Sequence, residues 1–284
     1  MNILILGGNG MLGHRMVLHF LKNHNVAYTV RGNAPPDALP SDMCFPNVDV
    51  CNLTDVMDVF IRFKPDAVLN CAGLVKQKPM GQSVVASSIV NSVAPHQLAS
   101  LCRTAGARFV HISTDCVFSG RRGNYTEDDQ PDPVDVYGMT KLLGEVNAPG
   151  CLTLRTSIIG RELNTRHGLL EWFLHQKEAV KGFSSAIFSG VTTVELARIV
   201  ENLLVGYPQA EGLYHVSAAP ISKYDLLRLV SANYDHSIPI MPDDSFLLDR
   251  SLDSSLFRRT FSYAPPGWSD MIQQARAEEN KSCR

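Results

Sequence analysis

Gly7-Gly8-Asn9-Gly10-Met11-Leu12-Gly13 follows directly on the apolar run Asn2-Ile3-Leu4-Ile5-Leu6 and opens an amphipathic stretch from Met11 to Lys22. Strand, glycine-rich turn and helix in that order form the first unit of a doubly wound α/β sheet. The spacing is G-x-x-G-x-x-G. Gly7 permits the tight turn, Gly10 lets backbone approach a pyrophosphate, and Gly13 lets the helix pack on the strand. The helix N-terminus adds unpaired N–H groups and a partial positive charge, which suit phosphate. A tight turn without a ligand would use the same glycines; the placement between strand and helix makes Gly7, Asn9, Gly10, Met11, Leu12 and Gly13 a candidate dinucleotide cradle.

Outward from that turn, strand and helix signals alternate for about 155 residues. Strands are expected at Val26–Val30, ending at Asp49-Val50, at Ala67–Asn70, Arg108–Ser113 and Leu152–Arg155. Helices are expected from a Thr54 cap to Phe63, over Val84–Ala105 with Gly106 at its stop, and over Val136–Val146. Short apolar strands between amphipathic helices predict right-handed crossovers and a parallel, Rossmann-type sheet covered on both faces. The boundary falls at 157. Residues 158–284 are expected to form a smaller α/β substrate lobe, partly interleaved with the first domain. There a Thr192-x-x-Glu195 capping box starts a helix, to about Val205, that packs on the first sheet. A strand at Gly212–Val216, a helix over Ser222–Ala232 and a last helix from Trp268 follow.

Composition narrows the function. Hydrophobic residues at 45% and charged residues at 19% exclude wholesale disorder. A formal net charge of −2 argues against a general nucleic-acid binder. No apolar run approaches the roughly 18 residues of a spanning helix, and the N-terminus lacks the basic start of a secretory signal. The seven cysteines have no CxxC pair and no zinc-type spacing, so reduced, mostly buried thiols in a cytoplasmic, metal-free protein are expected.

Tyr137 and Lys141 lie four residues apart on a predicted helix and therefore share a face. A phenol with a pKa near ~10 is a weak proton donor at neutral pH, and a neighbouring ammonium lowers it. Upstream, His111-Ile112-Ser113-Thr114-Asp115 ends a buried parallel strand, at the sheet edge where ligands of such folds bind. A hydroxyl there can hold a carbonyl oxygen while Tyr137 protonates it. Arg31 follows the second strand where an acid would hold the ribose of NAD; it instead suits a 2′-phosphate. NADPH is thus the expected cofactor, with NADH as the alternative.

These motifs resemble the extended short-chain dehydrogenase/reductase superfamily and, more narrowly, the dTDP-4-dehydrorhamnose reductase family, over nearly the whole chain. By that resemblance Asp49 and Val50 approach the adenine, and Cys71, Ala72, Gly73, Leu74 and Asn91 line the cofactor together with Tyr137 and Lys141. It also implies that Thr114, Tyr137 and Lys141 are catalytic, and that Thr114, Asp115 and Arg250 meet a nucleoside-diphosphate sugar. Arg250-Ser251-Leu252-Asp253-Ser254-Ser255-Leu256 is similar to a motif near the sugar pocket, with Trp268 beyond it. Four departures fall mainly on the sugar-facing surface: Cys116 for Tyr, Ile158 for Trp, Ser251 for Pro, and Val75-Lys76-Gln77-Lys78 in place of an acidic segment.

The resemblance implies an NADPH-dependent reductase of a nucleotide-linked 4-keto-6-deoxy sugar, in the supply of surface-polysaccharide precursors. Two alternatives stand beside it: an epimerase or dehydratase holding NAD, and a non-catalytic, NADP-binding regulatory subunit. No membrane or nucleic-acid partner is expected, and homodimerisation is left open.

Overall fold

A computed structural model describes residues 1–75 and 79–282. Its centre is a seven-stranded parallel sheet: β1 (Asn2–Leu6), β2 (Asn25–Thr29), β3 (Cys44–Phe45), β4 (Ala67–Asn70), β5 (Arg108–Thr114), β6 (Cys151–Thr156) and β7 (Gly212–His215). The order across the sheet is β7-β6-β5-β4-β1-β2-β3. From β1 the chain first moves one way, to β2 and β3, and then returns to build outward through β4. The switch point therefore lies between β1 and β4, which pair from Ile3↔Ala67 to Leu6↔Asn70. Ligand crevices open at that point in doubly wound sheets.

Side-chain alternation in β1 explains why both faces are covered. Ile3 and Ile5 enter one core, Leu4 and Leu6 the other, and all four are fully buried. On the first face lie α1 (Met11–Phe20), with Met16, Val17 and Phe20 inward, and α2 (Leu53–Phe63) lies on the second, with Val56, Val59 and Phe60 inward. The second face also carries α3 (Ala94–Ala105), through Leu98, Ala99 and Cys102. α3 continues a helical run that starts at Val84 and passes through a π-helical stretch at Ser88–Val93. Next come α4 (Val136–Leu143) and α5 (Thr193–Gly206), followed by α6 (Lys223–Asn233) and α7 (Trp268–Ser282). Leu196, Val200 and Leu203 of α5 join the first core against α1. Its N-cap is Thr192, which accepts from Glu195 N at 3.2 Å.

Strand β7 comes from the second part of the chain yet pairs with β6 from Gly212↔Leu152 to His215↔Arg155. The second part of the chain adds short pairings: Val180–Phe183 with Ile240–Asp243, and Ala186–Phe188 between Ile221–Ser222 and Leu248–Asp249. Two expectations are corrected. The third strand is Cys44–Phe45, and Asp49 and Val50 lie in the turn after it. The cap of α2 is Asn52, whose side chain accepts from Thr54 N at 3.1 Å, so Thr54 lies inside the helix. All six described cysteines are free; Cys102 and Cys151 are buried, while Cys44, Cys51, Cys71 and Cys116 are only partly so. No described helix is long and apolar enough to cross a membrane.

The β1–α1 turn packs backbone on backbone. Gly7 has φ +81°, and a Cβ on Gly13 would stand 2.1 Å from the Gly7 carbonyl oxygen. A side chain at Gly13 must push the helix off the strand. Gly13→Ala is expected to lower unfolding stability by about 1–3 kcal/mol in denaturant titration; a change below about 0.5 kcal/mol would show that the contact is not tight.

Candidate active site at the carboxyl end of the sheet

Four segments meet at the switch point: the β1–α1 turn, the loop after β4, the end of β5, and α4. The cradle's glycines divide by function. Gly7 and Gly13 are required by the chain's own atoms. Gly10 is not: a Cβ there would lie 3.4 Å from Gly7 O, ordinary contact, so internal packing leaves room for one. Gly10 is also the N-cap of α1, without a side-chain cap, and no acid stands in the first turn. The uncapped N–H groups and the uncrowded backbone at Gly10 fit a pyrophosphate. Leu12, by contrast, is buried in the core, so only its backbone can serve the cradle.

At the rim beyond the turn, Arg31 is exposed and its charge reaches the Cys51 thiol, next to Asp49. Asp49 Oδ1 accepts from Cys51 N at 2.9 Å, and Val50 is buried in the second core. Arg31 and the Asp49 turn thus sit together, as the adenine end of a dinucleotide would require.

The loop after β4 is clamped by Asn91. Its Oδ1 accepts from Leu74 N and its Nδ2 donates to Leu74 O, both at 2.9 Å; Nδ2 also reaches Thr140 Oγ1 at 3.2 Å. Asn91 is 1% exposed and stands in the π-helical stretch. Its carboxamide ties the Cys71–Leu74 loop to α4. Asn91, expected to line the cofactor, thus braces the loop expected to line it as well. Cys71 lies in the same loop, with burial pushing its thiol up to about 12.

Helix α4 presents Tyr137 and Lys141 on one face. Asp135 caps it, accepting from Gly138 N at 2.8 Å. A Cβ on Gly138 would come within 2.2 Å of Cys116 O, and one on Gly144 within 1.8 Å of Asn91 O. These two glycines let α4 lie flat against the β5 end and the π stretch, and nothing in the Tyr–Lys spacing signals them. The Thr114 hydroxyl lies beside the Tyr137 phenol and works against the rise of its pKa. Thr114 Oγ1 also donates to Asp115 Oδ1 at 3.2 Å and accepts from Cys116 N at 3.1 Å. Ser113, the other hydroxyl of the motif, donates to Glu145 Oε1 at 2.7 Å and is withdrawn from the site.

Lys141 is 5% exposed. Its amine donates to Ile112 O at 2.6 Å and meets His111 Nε2 at 3.3 Å; neither partner is the phenol. Burial lowers Lys141 to about 8, against the opposing pull of Glu145 and Cys71. Burial raises the Tyr137 phenol above its ordinary value, and the charge of Cys116 adds to that. The acidified phenol expected from the spacing is therefore not what the protein's own groups produce. Desolvation acts on both partners and favours the neutral form of each.

Arg250 is buried at 7% exposure beside this trio: Nε donates to Phe118 O at 2.9 Å and Nη1 to Cys116 Sγ at 3.3 Å. Trp268 belongs elsewhere. It is packed in the core against Phe188, its Nε1 donating to Ala219 O at 2.7 Å. Lys76 and Lys78 lie outside the described residues. Among the described residues no cluster of three metal-ligating side chains exists.

The family model for the RmlD substrate binding domain matches residues 1–278. The chain belongs to that family. Among relatives of this RmlD-family chain, the dTDP-4-dehydrorhamnose reductase of Aggregatibacter actinomycetemcomitans is 25% identical over 97% of the chain and 98% of its own length. The methionine adenosyltransferase 2 subunit beta of Danio rerio is 28% identical over 84% of the chain and 76% of its own length. A protein named as a probable low-salt glycan biosynthesis reductase, from Haloferax volcanii, is 32% identical over 56% of the chain, a match spanning about half (54%) of that relative. Among solved structures, dTDP-4-dehydrorhamnose reductase from Bacillus anthracis in complex with NADP shares the fold with a TM-score of 0.82. That match covers 98% of this chain and 99% of that one, at 19% identity.

Lys141 makes a stability prediction. Its ammonium titrates at 10.5 ordinarily and at about 8 when folded, so between those values the unfolded chain holds the extra proton. The cost of burying the charge is fully present below pH 8 and relieved as pH rises toward 10.5. Lys141→Met should therefore unfold at higher denaturant than wild type at pH 7, by up to on the order of 3 kcal/mol, with the gap closing toward pH 10. A gap that is absent at pH 7, or grows with pH, would contradict a buried ammonium.

Proposed function

We propose that this RmlD-family chain is an NADPH-dependent reductase of a nucleoside-diphosphate-linked 4-keto-6-deoxy sugar, serving polysaccharide-precursor synthesis. One observation carries the reading: the Thr114 hydroxyl stands beside the Tyr137 phenol, one helical turn from Lys141, at the carboxyl edge of the sheet next to an uncapped, glycine-lined helix N-terminus. The relatives named as reductases support it. Reduced nicotinamide dinucleotide, held along Gly7–Gly13, Arg31 and the Cys71–Leu74 loop, supplies a hydride when bound. Arg31 would meet a 2′-phosphate and so favours NADPH over NADH.

Thr114 holds the ketone oxygen of the sugar and Tyr137 gives it a proton, while the carbonyl carbon accepts the hydride. The phenolate left behind needs a nearby cation, and Lys141 is the cation one turn along the same face. Titrating at about 8, its amine is mostly charged at neutral pH. Arg250, beside Cys116, supplies positive charge for the sugar's diphosphate. Binding energy from the remote nucleotide orients the reacting carbon.

A second reading, a subunit that docks on another enzyme, is favoured by the similarity to the beta subunit of methionine adenosyltransferase 2. One assay separates the two. Purified protein is mixed with NADPH or NADH and a panel of nucleotide-linked 4-keto-6-deoxy sugars. The reductase reading predicts loss of NADPH absorbance faster than of NADH, and a fall in kcat of about 10²–10⁴ in Tyr137→Phe. Turnover unchanged in Tyr137→Phe refutes the proton donor; no turnover on any sugar, with co-purification of an unrelated catalytic chain, favours the subunit.

A further inference from the structure

The buried chain Ala72–Asn70–His111–Lys141 has no part in the reaction as drawn, yet its geometry admits one arrangement of protons. The backbone N–H of Ala72 donates to Asn70 Oδ1 at 3.2 Å, and a backbone N–H can only donate. The Asn70 carboxamide is therefore fixed with Nδ2 toward His111, 3.1 Å from Nδ1. Nδ2 is also a donor only, so Nδ1 must offer its lone pair. A neutral imidazole carries one ring proton, which then sits on Nε2. The ring is neutral because it has no accessible surface, and desolvation together with the charges of Lys141 and His96 holds it well below its ordinary range. Its Nε2 faces Lys141 Nζ at 3.3 Å, while that amine donates to Ile112 O at 2.6 Å.

We propose that His111 is a positioning residue for Lys141: locked by Asn70 as the Nε2–H tautomer, it donates a hydrogen bond to the lysine nitrogen and favours the uncharged amine. Were Lys141 an ammonium, two donors would face each other across 3.3 Å unless the Asn70 carboxamide turned over and released the Ala72 N–H. The charge on Lys141 is thereby coupled to the loop that faces the glycine turn, since Ala72 N and Cα would lie 3.0 Å from a Cβ on Gly7. The other groups around the amine are Glu145 beyond α4, Cys71 after β4, and Tyr137 on its own helix. Glu145 pulls toward the ammonium, but its carboxylate is shared with Arg155 and Ser113. Cys71 and Tyr137 stay neutral near pH 8 because burial raises both. His111 is the neighbour whose hydrogen bond opposes protonation.

The catalytic meaning of His111 rests on the reductase reading; its tautomer and the titration of the amine need neither cofactor nor substrate. Long-range proton–nitrogen correlation spectra of histidine-labelled protein read the tautomer directly. Side-chain lysine NMR, with the Lys141 signal identified by its loss in Lys141→Met, reads the titration. His111→Asn reaches only the place of Nδ1 and loses the donor facing Lys141, whereas His111→Gln carries an N–H to the place of Nε2. Expected are the Nε2–H tautomer in wild type above about pH 8, where the Lys141 amine is uncharged, a roughly threefold to tenfold weaker acid at Lys141 in His111→Asn, and a value within about twofold of wild type in His111→Gln. Should His111→Asn fail to fold, Asn70→Asp accepts from both Ala72 and Nδ1–H, reverses the tautomer, and must likewise weaken the acid. An Nδ1–H tautomer in wild type above that pH, or a Lys141 that titrates alike in wild type, His111→Asn and Asn70→Asp, overturns the proposal. Absence of ketosugar turnover leaves both readouts intact, so the two readings fail separately.

Discussion

The close approach of the β1–α1 turn to its own helix and to the β4 loop is the constraint from which the rest follows. Gly7 sits against Ala72 and Gly13 against Gly7, backbone on backbone, with no space for a side chain at either. That contact sets the N-terminus of α1 over the gap between β1 and β4, where the sheet reverses direction. Because β1 is central and buried from Ile3 to Leu6, the position of the turn is fixed by two cores at once. The helix dipole, the β4 loop and the end of β5 are all aimed at one crevice.

Within that crevice desolvation sets the chemistry. Tyr137, Lys141, His111 and Cys71 are each shifted toward their neutral forms by burial. Charge is kept one layer back. Glu145 and Arg155 form a buried bidentate pair, closed by Ser113 and His215, that ties the ends of β5, β6 and β7 together. Breaking one partner of such a pair would leave a buried charge uncompensated, so its role is to hold the frame. It also decides which hydroxyl faces the site: Ser113 is engaged by Glu145, and Thr114 is the one that meets Tyr137.

The sheet and most helices were legible because burial repeats with the period of each element. The apolar run Asn2–Leu6, the strand Ala67–Asn70 and the Thr192 and Ser222 caps could be read directly. Cys44–Phe45 could not, since two residues carry no period and the strand exists through its pairing with β2. Asn52 and Thr54 are both good cap residues two positions apart, and only tertiary context selects Asn52. The short strands of the second part of the chain likewise depend on partners distant in sequence. At the site, the Tyr–Lys spacing and the Ser-Thr-Asp string pointed to a helix and a strand end that the fold brings together. They did not show that Asn91 braces a loop, that Trp268 is core, or that burial raises the phenol. Those depend on depth and on which lone pair is already taken, and spacing encodes neither.

Gly10 is the sharpest point of the account, because it is the turn glycine that the protein's own packing does not require. Isothermal titration of NADPH into wild-type protein and Gly10→Ala, alongside a melting curve for each, tests it directly. A dinucleotide lying across this turn predicts saturable binding by the wild type, affinity weaker by roughly tenfold or more in Gly10→Ala, and melting temperatures that coincide. Equal affinity in the two proteins, or no binding by either, would contradict a dinucleotide lying across this turn.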